Sequence, residues 1–218
     1  GRETLERVTT YKYLGVDLCQ CVGPGSNALP FKLHHERVIS KALTRMHMVK
    51  HLGMCKDGLK LTTATKLYKL LVRPVMEYAA PILSYTKSQL QKYEQCQLKC
   101  LKSLIGLQKH GTLGAAVRLL AGIEPMKSRF DFLKLNYFQK IRLMEQNRLV
   151  QRVFKLRFGR APTGLTNEAL EIMTEQDILH EFKHTSTQEQ GLFSRFIKNT
   201  ILMNSYKRDN TALSQSRG

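Results

Sequence analysis

The segment of residues 62–83 constrains the fold most, because both its apolar and its charged residues recur with the period of a helix. Its apolar side chains share one side of that helix: Leu67, Leu71, Val75 and Tyr78. Lys66, Lys69 and Arg73 fall on the opposite side as one stripe of cations. Pro74 lies within the pattern and removes a backbone donor, so we expect a kinked helix.

The helical period continues through most of the remaining chain. Further amphipathic helices are predicted over residues 31–52, 86–107 and 112–120, an almost continuous helical pattern over 126–158, and two weaker helices over 167–182 and 188–206. The polar tail after Lys207 is expected to fray. Residues 6–19 alternate in polarity and favour strands. The predicted fold class is therefore mainly α, a helical bundle with a short N-terminal β-hairpin.

The charge of the chain is strongly unbalanced. Thirty-five Lys and Arg oppose 17 Asp and Glu, which gives a net charge of +18. Such an excess repels itself unless a polyanion neutralises it, and nucleic acid is the first candidate. An anionic membrane surface is the second, but no apolar run of about 18 residues exists to span a bilayer, and we predict no membrane partner. Solubility alone, as a third explanation, requires a net charge of only about 2–8.

Three stripes of Lys and Arg are the predicted nucleic-acid contacts, because cations one helical turn apart can meet successive phosphates. They are Arg37, Lys41 and Arg45; Lys66, Lys69 and Arg73; and Arg148, Arg152 and Lys155. A solvated helix face is the alternative for each stripe. Three aromatic residues could stack on bases, although we expect them to pack in the core: Tyr68, Tyr85 and Phe138.

No catalytic constellation is evident in the sequence. Motifs for nucleophilic, metalloprotease or phosphate-loop chemistry are absent, and the acids occur singly. Two-metal polymerase chemistry needs carboxylates held together, yet the chain has no Asp-Asp pair. Cys19, Cys21, Cys96 and Cys100, with His34 and His35, could supply four zinc ligands, but their spacing is not that of paired C-x2-C or H-x3-H motifs, so the signal for zinc is weak. We therefore predict no catalytic residue, no metal and no cofactor.

The cysteines also bear on the compartment. Their number is five and the chain is not small, so a disulfide framework is disfavoured and a reducing, intracellular compartment is predicted. Cys96 and Cys100 lie one helical turn apart and are expected to be small core residues. The chain begins at Gly1, which suggests a processed protein or a piece of a longer one.

Several motifs keep the order and spacing of a known family. They are YKYLGVDL at 11–18, a helix with His35 and Arg37, KLYKLLVRPVMEYAAPIL at 66–83, LQKYEQCQLKCLKSLIGL at 90–107 and LLAGIEPM at 119–126. Together they resemble the C-terminal part of non-LTR retrotransposon reverse transcriptases, over roughly residues 7–145. The resemblance implies the end of the palm, a primer-grip hairpin at Tyr13, Leu14 and Gly15, and a thumb over residues 31–107. A thumb of this kind would grip a duplex with A-form geometry through its phosphates.

The chain also departs from that family. The catalytic Tyr/Phe-x-Asp-Asp turn is absent, and the aromatic residue that usually follows the Tyr-Gly motif is replaced by the run from Ala80 to Leu83. A basic thumb without an active site predicts a non-catalytic, thumb-derived RNA-binding or scaffolding protein within a larger ribonucleoprotein. The charge of the chain and its start at Gly1 suggest a ribosome as one such setting, in the mitochondrion or the nucleus. The alternatives are a fragment of an active reverse transcriptase whose palm lies outside this chain, and a purely structural helical protein.

Three regions are predicted on this basis. Residues 1–29 form a hairpin and loop like the end of the palm, residues 30–125 a thumb-like bundle, and residues 126–218 a basic helical extension.

Overall fold

A computed structural model describes residues 8–19, 31–51, 59–107, 113–158, 164–184 and 190–216. The described chain is mainly helical with one two-stranded hairpin, which confirms the predicted fold class. The strands are β1, Thr10–Tyr13, and β2, Val16–Cys19. The helices are α1, Lys32–Val49; α2, Leu61–Leu67; α3, Arg73–Glu77; α4, Lys87–Ile105; α5, Gly114–Ala121; α6, Met126–Arg142; α7, Leu149–Phe158; α8, Leu165–Glu175; α9, Leu179–His184; and α10, Gln190–Gln215. Within these ranges, no helix has the length and apolar character that crossing a bilayer requires.

The hairpin turns tightly and docks on the segment that follows α3. Tyr13 pairs with Val16, so Leu14 and Gly15 form a two-residue turn. Their φ angles of 45° and 82° are both positive, as a type I′ turn requires. Val16 is buried against Ala79 and Leu83 in a small apolar cluster. This contact fixes the hairpin against the helical bundle.

Helix α1 follows its predicted pattern. Val38, Ala42, Met46 and Val49 are buried, which confirms the apolar stripe of this helix. The α-helix ends at Val49, and Leu52, where the pattern placed its end, lies outside the described residues.

The prediction of one kinked helix over residues 62–83 is wrong in detail. The observed helical segment consists of α2, a π-helical turn over Tyr68–Val72, and α3, and it ends at Glu77. Ala64, Tyr68, Val72 and Met76 are buried at intervals of four residues, and Thr65 is buried beside Ala64. Leu71 and Tyr78, which were predicted to be on the apolar face, are exposed. The π turn holds one more residue than an α turn, so the buried set recurs every fourth residue through this segment.

Helix α4 forms as the sequence predicts. Thr86 caps it: its hydroxyl accepts a hydrogen bond from the Gln89 amide, and the Gln89 side chain accepts one from the Thr86 amide. Gly106, at a φ of 74°, ends the helix. Cys96 and Cys100 are buried on its core side, which confirms them as core residues.

Helix α6 belongs to two apolar cores. Its first half contributes Met126 and Phe130 to the core formed with α1–α5. Its second half contributes Leu135 and Phe138 to a second core formed with α8, α9 and α10. The continuous helix predicted over residues 126–158 is instead interrupted after Arg142, and α7 begins at Leu149. The two weaker helices predicted after residue 164 form as α8, α9 and α10.

The tail after Lys207 does not fray, contrary to the prediction from its polarity. Helix α10 continues to Gln215, and Asp209 is buried within it. The Asp209 carboxylate accepts a hydrogen bond from Arg118 Nε at 3.0 Å and a second, shorter one from Arg118 Nη2. This ion pair explains why the helix continues where the polar sequence predicts fraying. Arg118, the partner of Asp209, lies on α5, 91 residues earlier in the chain.

Replacing Asp209 with Ala should therefore lower the free energy of unfolding by about 3 kcal/mol, because it leaves the largely buried Arg118 guanidinium without its main partner. Urea denaturation measures this change. The exposed neighbour Asn210 offers a matched control, and Asn210→Ala should shift the midpoint little. Equal stability of the two variants would show that the ion pair does not hold α10 in place.

A buried histidine gives the first core a predictable response to pH. His35 is enclosed by the rings of Tyr85 and Tyr93, and its Nδ1 lies 3.1 Å from the Tyr93 hydroxyl. Burial lowers the pKa of His35 to about 4, and the charges of His34 and Lys92 act in the same direction. Folding therefore holds His35 neutral at pH values where the unfolded chain would protonate it.

The contribution of His35 to stability should be complete above about pH 6.5 and should be lost as the pH falls towards 4, by up to about 3 kcal/mol. The comparison of the wild type with His35→Gln, by urea denaturation between pH 4 and pH 7, isolates this group. We expect a shallower pH dependence in the variant, since glutamine does not titrate. If the free energy of unfolding depended on pH equally in the two proteins, the pH response could not be assigned to His35.

Candidate nucleic-acid interface

A basic cleft lies between the hairpin, α1 and α3. Its volume is about 420 Å³, and four cations line it: Lys12, Arg37, Lys41 and Arg45. The other lining residues are Gly15, His34, Val38, Pro74, Val75 and Tyr78. No carboxylate is among the described residues that line this cleft. The cleft therefore concentrates positive potential between apolar walls.

Helix α1 supplies three of the four cations because of its period. Arg37, Lys41 and Arg45 are four residues apart, which separates them by about 6 Å along the helix axis. The neighbouring stripe of Val38, Ala42 and Met46 is buried, so the cations are directed to the edge of the bundle. The structure thus brings the whole first predicted stripe into one cleft and adds Lys12 of β1, which the sequence did not indicate.

Arg37 is fixed by the hairpin. Its Nη1 donates to Asp17 Oδ1 at 2.6 Å, and its Nη2 donates to the carbonyl oxygen of Gly15 at 2.7 Å. His34 Nδ1 accepts a hydrogen bond from the Asp17 amide at 3.4 Å. Burial lowers the pKa of His34 despite the neighbouring carboxylate, which agrees with a neutral ring that accepts this bond. Arg37 is therefore partly neutralised and acts as a rigid wall of the cleft.

The other cations of the cleft differ in their freedom. Arg45 Nη1 donates to the Leu71 carbonyl oxygen at 3.1 Å, which positions its guanidinium without neutralising it. Lys12 and Lys41 are exposed and form no ion pair within the described part of the chain. These three side chains carry the unbalanced charge of the cleft.

Tyr78 forms the rim of the cleft. Its ring is 65% exposed, and its hydroxyl donates to the Leu14 carbonyl oxygen at 2.8 Å. The ring packs on Gly15, where an added Cβ would lie 3.2 Å from Tyr78 Cε1. Of the predicted primer-grip residues, Gly15 lines the cleft, whereas Tyr13 and Leu14 are exposed on the adjoining turn. The sequence pattern had assigned Tyr78 to the core, because the extra residue of the π turn was not foreseen.

The second predicted stripe is divided by the fold. Lys66 is exposed and Lys69 is partly buried, and neither lines the cleft. Arg73 is only 15% exposed and forms ion pairs with Glu77 at 2.8 Å and with Glu124 at 3.3 Å. Its charge is therefore balanced within the protein, and it does not project beside the two lysines.

The same network joins α3 to α6. Arg129 donates to both oxygens of Glu77, with its Nε at 2.8 Å and its Nη2 at 3.1 Å. Farther along α6, the buried Lys134 donates to the Leu83 carbonyl oxygen at 3.0 Å and pairs with Glu168. Much of the basic character of α6 is thus directed to carboxylates from distant parts of the sequence.

The third predicted stripe is exposed on α7. Arg148 lies immediately before α7, and Arg152 and Lys155 lie on it; all three side chains are exposed. Glu145 Oε2 lies 3.9 Å from Arg148 Nε. This stripe is separate from the cleft, none of whose lining residues it supplies.

The aromatic residues considered for base stacking are largely in the interior. Tyr68 and Phe138 are fully buried, which confirms core packing for both. Tyr85 is partly buried and stacks on Phe130 with ring centroids 4.7 Å apart. Tyr78 is the aromatic residue that lines the cleft, and Tyr11 and Tyr13 are exposed on β1.

Within the described ranges, no cluster of three or more His, Cys, Asp or Glu side chains could hold a metal ion. Cys21 and Cys55 lie outside those ranges. Comparisons of the chain with protein-family models, with curated proteins and with solved structures gave no match. The relationship to reverse transcriptases, the three regions assigned from it and the roles of the individual cations therefore stay predictions.

Gly15→Ala tests the packing of the hairpin against the cleft. Both Gly15 and Gly122 have positive φ angles, but an added Cβ at Gly122 meets nothing within 4 Å. Gly122→Ala should therefore lower the free energy of unfolding by about 1 kcal/mol through backbone strain alone. Gly15→Ala should lower it further, because Tyr78 must also move.

Urea denaturation of the two variants separates these effects. Equal losses would show that the Tyr78 ring moves away from Gly15 without cost, and that the hairpin and the rim are not tightly packed.

Proposed function

We propose that this chain is a non-catalytic RNA-binding module, derived from a reverse-transcriptase thumb, that serves as a scaffolding component of a larger ribonucleoprotein such as a ribosome. The observation that carries the proposal is the basic cleft, in which cations of β1 and α1 converge without an opposing carboxylate among the lining residues. Its mitochondrial or nuclear setting is part of the same proposal and rests on the charge of the chain.

The shape of the cleft supports backbone binding over sequence reading. Its cations are spaced along one helix, and cations in such a row neutralise consecutive phosphates of a strand. Lys41 and Lys12 are flexible point charges, which suit phosphates of varying position. Arg37 and Tyr78, both hydrogen-bonded to the hairpin turn, form walls of fixed geometry. We infer that the cleft takes one strand of the nucleic acid along α1.

The preference for RNA comes from the resemblance, since the thumb of that family lies against an A-form duplex, whose phosphates and 2′-hydroxyls are accessible across the shallow minor groove. The cations alone would accept any polyanion. A comparison of RNA and DNA duplexes of equal length is therefore part of the test.

A second candidate is a fragment of an active reverse transcriptase. The observation in its favour is that the Leu14–Gly15 turn, the expected primer-grip position, borders the cleft formed by the thumb-like helix α1. The reading frame upstream of Gly1 distinguishes the two candidates. A Tyr/Phe-x-Asp-Asp turn in that frame would favour the enzyme.

The cleft is tested by Lys41→Glu/Arg45→Glu. We expect RNA affinity at physiological salt to fall at least tenfold, and the slope of log K against log salt to become shallower by about 2, since two phosphate contacts are lost. Fluorescence anisotropy with RNA and DNA duplexes at several salt concentrations measures both quantities.

The matched control is Lys99→Glu/Arg195→Glu, which changes the net charge equally at two exposed residues outside the cleft. The control should retain most of the affinity. An equal loss in both variants would mean that RNA responds only to net charge, and a salt-independent affinity in the wild type would contradict phosphate binding altogether.

A further inference from the structure

Helix α7 presents an apolar stripe to solvent. Leu149, Val153 and Leu156 recur at intervals of four and three residues and are all exposed, Leu149 by 73% and Leu156 by 67%. Val150 is also exposed beside them. Single exposed apolar residues are common on proteins, but three at successive helical turns form a continuous surface.

The orientation of α7 is set by its other side. Gln151 is buried and its Nε2 donates to the Arg142 carbonyl oxygen at 2.8 Å. The ring of Phe154 packs on Phe138, with centroids 5.2 Å apart. By the period of the helix, these two anchors lie roughly opposite the apolar stripe. The helix is thus attached through one face, and the stripe is the face turned farthest from the core.

A row of cations borders the stripe along one edge. Arg148, Arg152 and Lys155 lie between the apolar residues and the buried face, all of them exposed. An apolar stripe at positions i, i+4 and i+7 is the arrangement by which two amphipathic helices pack on each other, with charged residues on the flanking positions. The adjoining cations specify the charge that the partner helix must carry along its edge.

Other occupants fit these residues less well. RNA would neutralise the cations but leave the three apolar side chains in water. A second copy of this chain would bring together two molecules of charge +18, which repel each other. Binding to a bilayer surface scales with the apolar area inserted, and the four exposed apolar side chains described on this ten-residue helix offer little.

We infer that the exposed face of α7 is a docking surface for an amphipathic helix of a partner protein, whose apolar stripe is edged on one side by carboxylates. Leu149, Val153 and Leu156 pack on that stripe, and Arg148, Arg152 and Lys155 pair with its acidic edge. The inference does not depend on RNA binding in the cleft, because the two surfaces share no residue.

The test uses the full chain and synthetic helical peptides as the probe. The first peptide carries leucines at i, i+4 and i+7 with glutamates along one edge, the second has lysines in place of those glutamates, and the third has serines in place of the leucines. Anisotropy gives the affinities, and amide chemical shifts locate the bound peptide. A duplex RNA and vesicles of phosphatidylserine and phosphatidylcholine are the competing probes.

We expect the glutamate peptide to bind and to shift the amides of α7, and the serine and lysine peptides to bind at least tenfold more weakly. Val153→Ser/Leu156→Ser should lower the affinity for the glutamate peptide at least tenfold. Leu120→Ser, at an exposed leucine of α5, is the control and should leave the affinity unchanged. Arg152→Glu/Lys155→Glu should reverse the preference, so that the lysine peptide binds better than the glutamate peptide.

Circular dichroism shows whether the serine variant has lost helix α7. If it has, the charge-reversal variant still tests the inference, because it keeps the apolar residues of the helix. Binding of the glutamate peptide that shifts amides elsewhere, or that survives both α7 variants, would overturn the inference. So would shifts of the Leu149, Val153 and Leu156 amides produced by the RNA or by the vesicles and not by the peptide.

Discussion

The positions of the carboxylates determine how the rest of this molecule is arranged. Several acids form ion pairs with cations that lie far away in the sequence: Glu77 with Arg129, Glu168 with Lys134, and Asp209 with Arg118. These pairs are largely shielded from water, so losing one member would leave a charge that the interior cannot solvate. The acids therefore stabilise contacts between helices, and the excess of Lys and Arg remains on the surface, where the cleft and the edge of α7 collect part of it.

Helix α6 connects the two halves of the chain, because it packs in the core of each. Met126 and Phe130 pack in the first core, Leu135 and Phe138 pack in the second, and Arg129 reaches back to α3. A single helix that contributes to two cores couples their stabilities, since neither can lose α6 without exposing apolar surface. The ion pair of Arg118 with α10 adds a second connection between the halves. The C-terminal helices thus extend the bundle, although residues after about 160 showed no resemblance to the proposed family.

Features with local causes could be predicted from the sequence. The stripe of α1 and the start of α4 after Thr86 follow from neighbouring residues, whereas the hairpin turn was expected only from the resemblance. Features with distant causes could not. The pairing of Arg73 with Glu124 and that of Asp209 with Arg118 are set by tertiary packing, and no pattern in the sequence near either residue indicates them. For the candidate site, the period of α1 predicted Arg37, Lys41 and Arg45 together, but Lys12 and Tyr78 join them only through the docking of the hairpin.

The π-helical turn at Tyr68–Val72 has a further consequence. The Arg73 amide reaches back to the Tyr68 carbonyl oxygen, one residue farther than in an α-helix, immediately before Pro74 interrupts the backbone bonding. This extra residue determines how α3 and the residues after it are rotated about the helix axis. Removing one residue from the turn would rotate α3 by about 100° about its axis. Met76 would then leave the interior, and Tyr78 would no longer meet the Leu14 carbonyl. The packing of the hairpin against the helical bundle therefore depends on the number of residues in this one turn.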